Sequence, residues 1–166
     1  MRRFEKISES QFLEDIIKLI SYSDDEFYGL YDSIKLPERS TSKSAGYDIR
    51  AVGDWTIAPG HSMKIPTGLK VSMEPNEVLL IFIRSSLGTK YNLSLSNGTG
   101  VIDSDYYNNK DNEGHFWITL KNNGESAYDV KNGDRLCQGI FVEYKVTDDD
   151  NATAVREGGF GSTGSN

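Results

Sequence analysis

Beyond residue 31 the chain is a succession of short β-prone runs, each closed by a cluster of turn-forming residues. The runs fall at 33–36, 47–51, 55–58, 69–73, 78–83, 93–96, 115–120 and 136–146. Between them stand Pro59-Gly60, Pro66-Thr67-Gly68, Asn97-Gly98, Asn123-Gly124 and Asn132-Gly133. Gly and Asn supply the positive φ that tight turns need, and Pro punctuates the pairing. Short strands at this cadence predict an all-β domain, either a distorted β-barrel or a double-sheet jelly roll.

The two ends have a different texture. Ser8 and Gln11 stand at capping-box spacing, and Phe12, Leu13, Ile16, Ile17 and Ile20 then recur at helical intervals. This pattern predicts one amphipathic helix over 8–21, within a helical extension of residues 1–31 that packs onto the β body. Its polar face carries Glu9, Glu14 and Asp15, whereas a membrane-surface helix would carry Lys and Arg there. After residue 147 the apolar alternation stops: three aspartates lead into Asn151, and the last nine residues contain four glycines. Ordering such a segment unaided costs too much entropy. Residues 148–166 therefore read as a flexible arm on a β domain of 32–147, expendable or ordered over a ligand.

Charge and cysteine usage narrow the function. The 166 residues suit one domain, which buries about 70% of its unfolded surface without metal or disulfide staples. With 18 Lys and Arg against 25 Asp and Glu, the net charge of −7 argues against general nucleic-acid binding, which runs on basic surfaces. The single Cys137 forbids an internal disulfide and leaves no Cys cluster for structural zinc or a zinc-type deaminase. The N-terminus runs into acids, and no apolar stretch approaches the roughly 18 residues a span requires. A cytoplasmic protein without membrane contact is expected, so the Asn-x-Ser/Thr triplets at Asn92, Asn97 and Asn151 carry no glycosylation meaning.

Three segments carry chemistry. Arg84-Ser85-Ser86, at the end of the apolar run 78–83, offers a guanidinium, two hydroxyls and successive backbone N–H groups, the makings of a phosphate cradle. A strand-end arginine in a surface ion pair is the equal alternative for that segment alone. Asp103 ends a β-prone run inside a turn-rich hairpin; on its own, an Asp so placed more often caps a turn. Arg156 and the loop from Gly158 to Gly164 combine a cation, the ring of Phe160 and a hydroxyl-bearing glycine run able to close over an anion. It is not a Walker A loop, because no Lys follows the glycines.

Together these segments resemble, in order and spacing, the five motifs of the homotrimeric dUTPase family. The first is Ala45-Gly46-Tyr47-Asp48-Ile49, the second Arg84-Ser85-Ser86-Leu87-Gly88, and the third Gly100-Val101-Ile102-Asp103-Ser104-Asp105-Tyr106. The fourth is Gly133-Asp134-Arg135-Leu136-Cys137-Gln138, and the fifth runs from Arg156 to Gly164. The resemblance implies a trimeric enzyme in which water attacks the α-phosphorus of dUTP, giving dUMP and pyrophosphate. It makes Asp103 the water-activating base, and assigns the phosphates to Arg84, Ser85, Ser86 and Gln138. Asp48 would hold Mg2+ through the ion's water shell. Asn97, with Gly100, Val101 and Ile102, would read uracil, and Tyr106 would pack under the deoxyribose where a 2′-hydroxyl collides. The arm would bring Arg156, Gly161, Ser162 and Thr163 to the phosphates and Phe160 over the base, from a neighbouring subunit.

The chain departs from the family pattern in three places. Residues 107–113 intervene between Tyr106 and Gly114, Ile83 stands where proline commonly precedes the arginine, and the N-terminal helix has no counterpart in the minimal member. The extension and the insertion are candidate surfaces for a protein partner, which makes a regulator with a retained nucleotide pocket one alternative. A dCTP deaminase of the same fold is the other. That chemistry needs a glutamate on the strand after the third motif, and Phe116-Trp117-Ile118-Thr119-Leu120-Lys121-Asn122-Asn123 contains no acid.

Overall fold

A computed structural model describes residues 1–19, 23–154, 156 and 158. Among the described residues eleven strands form in chain order: β1 (Arg3–Lys6), β2 (Glu38–Arg39), β3 (Tyr47–Arg50), β4 (Trp55–Ile57), β5 (Ser62–Ser72), β6 (Glu77–Ile83), β7 (Leu93–Leu95), β8 (Gly100–Asp103), β9 (Phe116–Asn122), β10 (Tyr128–Val130) and β11 (Arg135–Glu143). They make a five-stranded sheet in the order β2-β3-β11-β6-β8, a four-stranded sheet in the order β1-β5-β9-β7, and a β10-β4 ribbon. Every pairing is antiparallel. The alternation along β6 and β9 turns Leu79, Ile81, Phe116, Ile118 and Leu120 inward, where they are almost fully buried in one continuous core. The architecture is the jelly-roll-like all-β fold expected from the turn cadence.

Several elements differ from their sequence expectation. The helix expected over 8–21 stops early: α1 spans Glu9–Ile16 and ends at Ile17, whose side chain is 64% exposed. Phe12 and Ile16 face the core, so the apolar period continues past the point at which the helix has a surface to cover. Ile20 lies outside the described residues. A second helix, α2 (Asp24–Asp32), carries a full capping box in which Ser23 and Glu26 bond reciprocally. The run at 33–36 is not a strand, and pairing begins only at Glu38. The segment after β6, for which the sequence offers no element, forms a helix, α3 (Ser85–Tyr91). Residues 1–31 are not merely helical: β1 adds an edge to β5, and Phe12, Ile16 and Phe27 join the common core. Among the described residues no helix is long and apolar enough to cross a membrane.

Candidate active site

The residues singled out by the sequence gather in two groups. The first is written across the middle of the five-stranded sheet. Gln138 of β11 pairs with Asp48 of β3 on one side and with Phe82 of β6 on the other. Directly paired residues project to the same face, and two positions beyond Phe82 that face is occupied by Arg84. Arg84 Nε lies 3.5 Å from Asp48 Oδ1, while Asp48 Oδ2 accepts from Arg135 Nη1 and from the Ser40 hydroxyl, both at 3.0 Å. Arg84 is also the residue that opens α3, so Ser85 and Ser86 lie in its first turn, where backbone N–H groups lack helical partners.

Beside Asp48 opens a polar cavity of about 700 Å³ lined by Lys35, Glu38, Arg39, Ser40, Arg50 and Arg135, among others. A volume of that order accommodates a nucleotide-sized ligand. Sequence reasoning missed Arg39 and Arg50 here. Arg39 donates to the carbonyls of Ser42 (3.1 Å) and Ser44 (2.9 Å), tying down the loop before the first motif. Neither residue belongs to any of the five motif segments. Arg135 stood in the fourth motif without a role.

The second group surrounds β8. Asn97, Gly100, Val101 and Ile102 line a small cavity of about 60 Å³ together with Leu95, Ile81 and, from β9, Trp117, Ile118 and Thr119. Trp117 and Thr119 were legible only as the outward-pointing half of an alternating strand. Asp103 ends β8 and its carboxylate makes no cap hydrogen bond, so the turn-capping alternative does not describe it. Arg156 Nη2 lies 2.6 Å from Asp103 Oδ2 and its Nε lies 2.8 Å from Asp105 Oδ1. The same guanidinium sits 5.7 Å from the centroid of the Tyr106 ring. Arg156 is thus placed against the acids of the third motif and not beside Arg84. Tyr106 is 6% exposed, and burial pushes its hydroxyl upward from the ordinary phenol value against the opposing effects of Asn112 and Arg156. Phe160, Gly161, Ser162 and Thr163 lie outside the described residues.

Strand register keeps the two groups apart within one chain. β8 pairs with β6 so that Asp103 stands opposite Val78, whereas Arg84 follows the other end of β6. Six residues at about 3.3 Å each put Asp103 and Arg84 roughly 20 Å apart along the strand direction. The phosphate-type chemistry and the carboxylate sit at opposite ends of the strand.

The family model described as dUTPase matches residues 32–164. The chain belongs to the dUTPase family. It is 47% identical over 133 residues to the deoxyuridine 5′-triphosphate nucleotidohydrolase of Lactococcus lactis subsp. lactis, covering 79% of this chain and 89% of that protein. The crystal structure of dUTPase from Streptococcus mutans superposes with a TM-score of 0.70 at 36% identity, over 88% of this chain and 98% of that one. The dUTPase of Staphylococcus bacteriophage 80alpha with dUPNHPP shares the fold, with a TM-score of 0.67 at 21% identity over 99% of each chain.

The family implies magnesium, and the donor set can be tested for it. Among the described residues no group of three or more His, Cys, Asp or Glu could hold a metal ion. Asp48 is a single carboxylate with both oxygens already facing cations. Such a set does not make a cage for a free ion. It does fit Mg2+ that arrives on a polyphosphate, because that ion keeps several waters and takes one or two carboxylates together with substrate oxygens.

Proposed function

We infer that the chain hydrolyses dUTP to dUMP and pyrophosphate, at a site completed only when copies of the chain assemble. The observation that carries the reading is the row of Asp48, Gln138 and Arg84 on one sheet face, with the Asp103 carboxylate at the far end of β6. Within one chain Arg84 and Arg135 stand at one end of β6, and Asp103, paired with Arg156, stands at the other. A homotrimer brings the base of one copy to the phosphate face of the next, in line with the cyclic closure that symmetric oligomers favour.

In this reading Arg84, Ser85, Ser86 and Gln138 bind the phosphates, with Arg135 and Arg39 adding positive charge at the rim. A triphosphate entering there competes with Asp48 for Arg84 and Arg135, so the carboxylate is released as the substrate docks. Asp48 would hold Mg2+ through the ion's waters, and the ion would supply charge neutralisation at the phosphate oxygens. Asp103 orients a water and accepts its proton, and most of the remaining acceleration comes from positioning. Asn97 and the backbone of residues 100–102 read the uracil edge, and Tyr106 packs under the deoxyribose. Arg156 must leave Asp103 before that carboxylate can serve water, and its transfer to the phosphates of a neighbouring site would accomplish both. Phe160, Gly161, Ser162 and Thr163 would close with it.

In this reading the protein removes dUTP before it reaches DNA and supplies dUMP for dTMP synthesis, acting in the cytoplasm. Binding of a protein partner through residues 1–31 or 107–113 would be a separate role, tested by pull-downs with the full chain and with substitutions at the exposed Leu13 and Ile17, because Phe12, Ile16 and Phe27 belong to the core and cannot be deleted. The assay of the main reading is pyrophosphate release with magnesium present. Turnover of dUTP with little turnover of dTTP or UTP is expected, and no release from dUTP would overturn the assignment.

A further inference from the structure

The insertion and the N-terminal segment, the two main departures from the family pattern, are bound to each other. Glu113 accepts from the Ser8 backbone N–H (3.0 Å) and the Ser8 hydroxyl (2.5 Å), and Tyr107 donates to Glu5 (2.8 Å). Glu113 therefore takes the place of the acid that normally completes a capping box on α1, while Gln11 turns to Asp15 at 3.2 Å. Lys70 of β5 joins both sides, bonding Asn108 at 2.7 Å and Glu113 at 3.4 Å. Burial would raise the Glu113 carboxyl, but its bonds from Ser8 and Lys70 outweigh that and hold it below its usual value.

A deeper link lies behind these contacts. Asp15 on α1 accepts from His115 Nδ1 at 2.6 Å, and the backbone N–H of Gly68 donates to His115 Nε2 at 2.9 Å. With Nε2 accepting, the ring is neutral and its proton sits on Nδ1. The His115 ring is fully buried, between Phe12 at 6.4 Å and Trp117 at 4.7 Å. The backbone carbonyl of His115 in turn accepts from the Tyr106 hydroxyl (3.2 Å) and from Asn112 Nδ2 (3.1 Å). Asn112 also donates to the Tyr106 hydroxyl (2.8 Å), and Asn109 donates to the Tyr106 carbonyl (2.9 Å). Tyr106 is held at its hydroxyl and its backbone by the insertion, and the insertion is held by the N-terminal segment.

We propose that Asp15 and His115 are positioning residues for sugar selection: through this buried pair the N-terminal segment fixes the tyrosine that separates deoxyribose from ribose. The inference rests on the reading of Tyr106 as the platform under the sugar. A ring that excludes a 2′-hydroxyl by contact must be fixed to a fraction of an ångström, since a small displacement opens room for one oxygen. The connection from β8 to β9, which crosses between the two sheets and carries residues 107–113 rather than forming the tip of a paired hairpin, does not supply that rigidity by itself. The Asp15–His115 pair does, because neither partner can move without leaving a buried polar group unsatisfied.

The test uses the full-length enzyme and the ratio of kcat/KM for dUTP to that for UTP, measured well below the melting temperature. Asp15→Ala should lower this ratio about tenfold, within the range a slight misplacement costs, mainly by raising KM for dUTP and easing turnover of UTP. Asp15→Asn, which still accepts from His115 Nδ1, should restore most of the ratio. Asn112→Ala, half-buried and outside the core, should lower it in the same direction, and carries the test if Asp15→Ala does not fold. An unchanged ratio in folded Asp15→Ala, or in Asn112→Ala, overturns the proposal. Tyr106→Leu separates the two levels. If it leaves discrimination intact, the role given to Tyr106 fails; if it abolishes discrimination while the other variants do not, the positioning role alone fails.

Discussion

Gly46 sits where the first motif meets the fourth, and adding one methyl group there tests the packing of the phosphate face. A Cβ at Gly46 would lie 2.9 Å from Gln138 Cβ and 3.2 Å from Gln138 Cδ, and would also collide with the amide oxygen. The amide can swing away. The Gln138 Cβ cannot, because β11 is held between β3 and β6 on both sides of that residue. Restoring ordinary carbon–carbon contact at about 3.5–4.0 Å requires the strands to part by roughly 0.6–1 Å. Overpacking of this kind costs about 1–3 kcal/mol. For a chain of this size that corresponds to a fall in Tm of roughly 2–12 °C. The same displacement shifts Gln138 relative to Asp48 and Arg84, so kcat/KM for dUTP should fall by up to about 100-fold with a raised KM. The assay is thermal melting at fixed protein concentration alongside steady-state pyrophosphate release. In a Gln138→Gly background the opposing Cβ is gone, so Gly46→Ala should cost less there than in the wild type. A Gly46→Ala enzyme with unchanged Tm and unchanged kcat/KM would refute the close packing of these two motifs.

Three further outcomes are expected. Asp103→Asn keeps the shape and loses the charge that activates water, so turnover should drop by about 10²–10⁴-fold while dUTP affinity, read by calorimetry, stays largely intact. Equal loss of affinity would show that Asp103 holds substrate instead. Burial lowers the His115 pKa below its usual value, against the raising effect of Asp15. The unfolded chain therefore takes up a proton that the folded one resists, so stability is complete above about pH 6.5 and declines as pH falls below it. Melting between pH 7.5 and 5.5 should show this slope, and His115→Gln should flatten it; an equal slope in both would remove His115 as the cause. Removal of residues 156–166 should cripple turnover without dissociating the assembly, as read by sedimentation, and dissociation on truncation would make the arm structural.

The parts of the account that sequence made legible are local. The motif residues Asp48, Arg84 and Gln138 and the β cadence could be placed because each announces itself within a few positions. The helix α3 could not, since Ser85–Tyr91 is short and contains Gly88 and Thr89, poor helix formers without an apolar period. The end of α1 is not legible either, because Ile17 keeps the apolar rhythm while facing solvent. The Ser23–Glu26 capping box has no sustained apolar period behind it, so its sequence signal is weak despite the complete cap. What no local signal carries is pairing across the chain. Asp15 and His115 are 100 residues apart, and the opposition of Asp103 to Val78 is a fact of register. Motif order alone therefore marks the candidate residues without revealing that one chain holds Arg84 and Asp103 at opposite ends of β6.

That separation is the central claim, and mixing two inactive variants tests it. Arg84→Ala should disable the phosphate face and Asp103→Asn the base, leaving each homotrimer without turnover. If every site takes Arg84 from one copy and Asp103 from another, random reassembly of equal amounts restores about a quarter of the sites. Pyrophosphate release from dUTP by the dissociated and reassembled mixture should recover to roughly that fraction of wild-type activity. A mixture as inactive as its components would contradict the account, because it would mean that Arg84 and Asp103 must act within one chain.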